Sequence, residues 1–185
     1  MRSAPVLVVL CLAACMTDRR PVHPYRLEGF PGAPIEGDLF PLRAGTRWVF
    51  RDRLADDKAL ELSLRREGEG FVLEGSRQGG ASVALEGGFL SIRYEGEEVD
   101  RPLKLEGKVG DSWEAAGARY TVFGYDRIEV LGEKRRALVT AAERGGTRDL
   151  YWFVDGMGWV RMRTERQGRV LRDAVLAAHD AGGAN

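Results

Sequence analysis

The sequence predicts an all-β fold: an antiparallel meander forming a strongly bent sheet or incomplete barrel, with little helix. Three observations carry this. From Leu39 onward apolar residues recur with a period of two, alternating with charged ones over runs of about five to eight residues, as half-buried strands require. Glu-Gly pairs at Glu67-Gly68, Glu69-Gly70, Glu74-Gly75, Glu86-Gly87, Glu95-Gly96 and Glu106-Gly107 generally end those runs, where glycine supplies the positive φ of tight hairpins. A chain of 185 residues that is 44% hydrophobic can also fill one core without help from disulfides.

The strands follow in order. Trp48 and Phe50 mark the first. Leu60, Leu62 and Leu64, alternating with Glu61, Ser63 and Arg65, mark the second, and Phe71 to Leu73 the third. Val83 and Leu85, then Leu90, Ile92 and Tyr94, then Leu103 and Leu105 continue the pattern. After them come Tyr120 and Val122, Ile128 and Val130, Leu138 to Val139, Leu150 to Val154, and Trp159 to Met162. Lys134-Arg135-Arg136, following Leu131-Gly132-Glu133, reads as a solvated hairpin end more than a phosphate-binding patch. The Glu-Gly pairs read as turns, since the Asp-x-Asp-x-Asp calcium loop is absent. Val170 to Ala178 fits either a helical face or a strand. A closing strand is expected, because the preceding chain offers little helix to pack on, with a flexible tail over 179–185.

The first fifteen residues have the parts of an export signal: Arg2 as a short basic start, Pro5 to Leu12 as an apolar run, and Ala13 and Ala14 as small residues before a cut. The run is too short to span a bilayer, which needs about 20 apolar residues. Its end, Leu12-Ala13-Ala14-Cys15, resembles the lipobox of bacterial lipoproteins. That resemblance implies cleavage before Cys15 and a diacylglyceryl group on its thiol; the other reading is a simple secretory cut after Ala14. Two or three acyl chains on one residue would anchor the protein almost permanently, at about 0.8 kcal/mol per buried methylene. Cys11 would leave with the signal and Cys15 would take lipid, so no thiol would remain for a disulfide or a metal. Met16 and Thr17, where an Asp would favour inner-membrane retention, imply by the same resemblance the periplasmic face of the outer membrane.

The expected organisation is therefore a cleaved signal (1–14), a lipidated N-terminus and Pro/Gly-rich tether (15–37), one β domain (38–178) and the tail. The tether contains Pro21, Pro24, Pro31 and Pro34 and could reach roughly 70 Å at about 3.1 Å per residue, unless Val22, Tyr25, Leu27 and Phe30 lie along the domain.

Twenty-eight basic and 28 acidic side chains argue against a nucleic-acid partner, which would need surplus cations to displace counterions. Phe40-Pro41-Leu42, Gly45 and Trp48-Val49-Phe50 near the start resemble an opening motif of uncharacterised bacterial envelope lipoproteins. Tyr151-Trp152-Phe153, Gly156, Gly158-Trp159-Val160 resembles their late hairpin, and Val109-Gly110-Asp111-Ser112-Trp113 resembles a turn between them. Asp155 and Trp159 depart from that pattern, which implies a β domain and no active site. The four tryptophans, Trp48, Trp113, Trp152 and Trp159, read as core or core-edge residues, with a glycan platform or ligand-cavity wall as the functional alternative. Trp152 and Trp159 could meet across their hairpin.

Catalytic candidates are thin. The two histidines, His23 and His179, fall in the tether and the tail, where neither would be held rigid. Gly110-Asp111-Ser112 resembles the nucleophile block of GDS-type lipases, but those need a strand-to-helix elbow and a late Asp-x-x-His, whereas the late pair here, Asp173 and His179, is six apart. No metal ligand set or cofactor motif stands out. The expectation is a non-catalytic envelope interaction or accessory protein, tied to the membrane by Cys15 and meeting an envelope protein. The alternatives are a carrier of lipid or acyl chains, whose cavity should measure some hundreds of cubic ångströms, and a glycan-acting enzyme using paired carboxylates.

Overall fold

The computed structural model describes Ile35 and residues 37–75 and 80–183. The signal segment, Cys15, His23 and nearly all of the tether lie outside these residues. Within them the protein is all-β: twelve antiparallel strands, no helix, in one nearly closed barrel-like sheet.

The strands are β1 (Thr46–Asp52), β2 (Ala55–Glu67), β3 (Gly70–Glu74), β4 (Ala81–Glu86), β5 (Phe89–Arg93), β6 (Asp100–Lys104), β7 (Ser112–Ala115), β8 (Ala118–Val130), β9 (Glu133–Arg144), β10 (Thr147–Val154), β11 (Gly158–Arg166) and β12 (Arg169–Ala181). Their order across the sheet is β6-β5-β4-β3-β2-β1-β12-β11-β10-β9-β8-β7. Every consecutive pair is hydrogen-bonded except β6 and β7, and β12 returns to pair with β1. The molecule is thus an up-and-down barrel whose one break falls between β6 and β7.

Alternation sets the register. Trp48 faces Leu62 and Phe50 faces Leu60 across β1 and β2, and Leu64 faces Leu73 across β2 and β3, so one face of this half stays apolar. The most buried large side chains are Trp48, Trp152, Tyr120, Phe40, Phe50 and Phe153. Aromatic rings rather than open space occupy the interior.

Several boundaries differ from the sequence reading, each for a pairing reason. The Tyr120–Val122 and Ile128–Val130 runs are one strand, β8: the register slips between Val122 and Gly124, and this bulge leaves Phe123 turned outward. Trp113 lies in a short strand, whereas Leu105 lies in a turn. Leu85, expected in the core, is exposed at the end of β4. The segment 170–178 is strand, as expected, but β12 runs on to Ala181 because Thr46 of β1 still has a partner there. The loose tail therefore does not begin at 179, and His179 is held in a strand.

Candidate functional site

The two sequence landmarks, more than a hundred residues apart, come together at one end of the barrel. Phe40 stacks on Trp48 with centroids 5.5 Å apart and meets the edge of Trp159 at 4.9 Å. The Trp48 indole N–H donates to the Met157 carbonyl at 2.6 Å, in the turn after β10. The Gly156 N–H donates to the Asp38 carbonyl (2.9 Å), and the Asp38 N–H donates to the Asp155 carboxylate (2.7 Å). Gly158, at φ 76°, sits so close beneath the Phe40 and Trp48 rings that an added Cβ would lie 3.2 and 3.3 Å from them. The spacing of the landmarks is therefore that of an aromatic core box.

The other two tryptophans are also built into the fabric. Trp152 is fully buried, donates to the Asp126 carboxylate at 2.9 Å and lies under the Arg161 guanidinium, 4.8 Å from the ring centroid. The register slips between Trp152 and Phe153, so Trp152 stands opposite Arg161 while Phe153 stands opposite Trp159. The two indoles of that hairpin thus take different neighbours. Trp113 is half-buried and stacks on Tyr120 at 5.6 Å. Its indole N–H donates to the Arg101 carbonyl of β6 at 2.9 Å.

That bond belongs to a set closing the seam. Strand β6 carries Pro102, which has no N–H for a ladder. Thr140 Oγ1 reaches its backbone instead, donating to the Pro102 carbonyl at 2.7 Å, and the Tyr120 hydroxyl donates to the side-chain carboxylate of Asp100. Burial, then the nearby Asp100 charge, holds the Tyr120 phenol protonated far above its ordinary range. Burial does the same to Tyr151, with Asp149 and Asp100 adding to it. Lys104 pairs with Asp111 at 2.8 Å across the connecting loop, and that bond first, then the Lys108 N–H, keeps the Asp111 carboxyl below its ordinary value.

Asp111 thus braces this loop. Ser112 is exposed on β7, and four strands separate it in the sheet from Asp173 and His179 on β12. Asp173 itself accepts two bonds from Arg161 at 2.7 and 2.8 Å. His179, contrary to expectation, is fixed: it pairs with Trp48, lies 6.1 Å from its ring, and has Nε2 buried without a hydrogen-bond partner. Burial lowers its pKa, against a smaller upward pull from Asp180.

Sequence reading missed the buried charges. Arg163 and Glu165 pair at 2.7 Å, almost fully covered, beside the Arg161–Asp173 pair. The period of two could not show this, because the slip opposite Trp152 and Phe153 breaks the phase along β11: Arg161, Arg163 and Glu165 share the face of Trp152 and not that of Trp159.

Two open grooves mark the surface. One, about 290 Å³, lies beside Phe50, Asp52, Lys58, Leu60, Leu171 and Arg172. The other, about 550 Å³, lies at the end carrying the β9–β10 and β11–β12 turns, beside Arg119, Glu143, Arg144, Arg148, Glu165 and Gln167. Its charges alternate across the strands: Arg119 faces Glu143, Glu143 faces Arg148, and Arg148 faces Glu165. Like-signed neighbours are avoided, which is what sheet stability alone asks for. Among the described residues no group of three or more His, Cys, Asp or Glu is placed to hold a metal ion.

No family model matches the chain, and no curated protein matches it. A crystal structure of a "putative lipoprotein" from Parabacteroides distasonis is similar over 77% of this chain and 98% of its own, at 12% identity and a TM-score of 0.45. A likeness of that size fixes neither family nor activity.

Proposed function

We propose that this chain is a bacterial envelope lipoprotein whose β domain is a non-catalytic interaction module. The observation that carries the reading is Leu12-Ala13-Ala14-Cys15 at the end of a short apolar run with a basic start. Acyl chains on Cys15 hold the domain at the membrane, on the periplasmic face of the outer membrane given Met16 and Thr17. The partner is an envelope protein.

The packing of the barrel supports an interaction role over carriage of an acyl chain. The interior space that a carrier would need is taken by Phe40, Trp48, Phe50 and Phe153, each of them fully buried. The two grooves described above are open and rimmed by charge.

Radiolabelled palmitate fed to the native host tests the anchor. Label should enter the wild-type chain and not Cys15→Ala, which should accumulate as unprocessed precursor. Unlabelled wild type, or acylated mature Cys15→Ala, would overturn the assignment.

A further inference from the structure

The β8–β9 hairpin outruns its neighbours. Strand β7 pairs with β8 only as far as Thr121, and β10 pairs with β9 only as far as Leu138. The arms continue pairing with each other to Val130 and Glu133. Glu133–Ala137 therefore carries the tip roughly 16 Å past the last β10 pair, at about 3.3 Å per residue.

The tip is a two-residue turn, Leu131-Gly132, with φ of 51° and 83°. Both central residues of such a turn need positive φ, which favours Asn, Asp or Gly. A leucine there is strained, and this one is also 48% exposed. Backbone preference does not explain an apolar side chain at that place. Lys134 and Arg135 follow just behind it, both exposed, Lys134 opposite Glu129 and Arg135 paired to Glu133.

Strand alternation sets the tip at the end of the barrel that bears the Asp155–Met157 turn. Asp38, 23 residues after Cys15 in the sequence, is bonded to that turn. Leu85 (41% exposed) and Val109 (57% exposed) lie at this end as well, their loops joined by the Leu105 N–H to Gly88 carbonyl bond.

We propose that this hairpin tip docks on the phospholipid bilayer, with Leu131 entering the headgroup–acyl boundary and Lys134 against headgroup phosphate. An apolar tip with cations just behind it suits that boundary, where the hydrocarbon is buried and the ammonium stays with the phosphates. The contact rests on the lipid-anchor reading: acylation keeps the chain at the surface, and the tip fixes which end of the domain faces it.

The test uses the full mature lipidated chain, purified from host membranes and reconstituted in phosphatidylethanolamine–phosphatidylglycerol vesicles. Glu129→Cys, beside the tip, carries a polarity-sensitive dye; Gln167→Cys, in the turn at the opposite end, carries the same dye as reference. The Glu129 dye should shift to the blue and be quenched by spin-labelled lipid, the Gln167 dye should do neither, and adding Leu131→Asn should abolish the shift. Leu131→Asn should melt no lower than its parent, since asparagine suits the turn, so loss of the shift will not reflect unfolding. Equal aqueous emission at both positions in vesicle-bound protein would overturn the docking and leave the anchor standing. Absence of acyl mass on the purified chain would remove the anchor and this proposal together.

Discussion

Trp48 shows how one side chain serves several purposes at once. It has no exposed surface, stacks on Phe40 and ties β1 to the turn after β10 through its indole N–H. Trp48→Ala should cost about 3–5 kcal/mol, read as a fall in melting temperature of roughly 10 °C or more. His179 lies across from it in a strand that burial makes unfriendly to an imidazolium. Its folded pKa is lowered, so the unfolded chain takes up the proton more readily than the native one. Stability from this residue is present above the ordinary histidine value of 6.5 and is lost as pH falls through the lower folded value. Melting temperatures between pH 7.5 and pH 5 should decline, and His179→Gln should flatten the decline. Trp48 was readable as core from its alternation with charged neighbours. His179 was not, because its burial depends on pairing with a strand about 130 residues away.

Among the elements, the seam between β6 and β7 is where side chains substitute for a ladder. Trp113 and Thr140 bind two successive carbonyls of β6. Trp113→Ala should therefore lower amide-exchange protection in β5, β6 and β7 first, leaving β1 and β12 protected near the global limit; uniform loss across the sheet would contradict this. The Arg161–Asp173 pair joins β11 to β12 with little water around it. Asp173→Ala should destabilise by about 3 kcal/mol or more in chemical denaturation, because it removes the carboxylate that takes two bonds from a largely buried guanidinium. Most strands were legible from a period of two ended by glycine turns. The bulge at Phe123 was not, since a single unpaired residue leaves the alternation on both sides intact. Nor was the seam, because Pro102 signals a missing donor without naming the Trp113 and Thr140 that compensate for it.

At the scale of the whole molecule, the first and last strands are neighbours in the middle of the sheet. A closing strand over 170–178 was legible in the sequence, but its partner β1 was not, because that pairing links positions at opposite ends of the domain. Removing residues 169–185 should expose the edges of both β1 and β11 and leave an aggregating, non-cooperatively melting chain rather than a slightly weakened barrel. Gly182 already lies against Gly45, its Cα 3.8 Å from where a Gly45 Cβ would stand. The one place where neighbouring strands share no ladder is also the loop Leu105–Asp111. A circular permutant that opens this loop and joins Gly182 to Gly37 through a flexible linker, so that Asp38, Leu39 and Phe40 are retained, would keep every strand pairing. In such a rewired chain the two six-stranded arms would become one continuous run of hairpins from β7 through β12 and β1 to β6, and it should fold to the same barrel with shorter-range contacts.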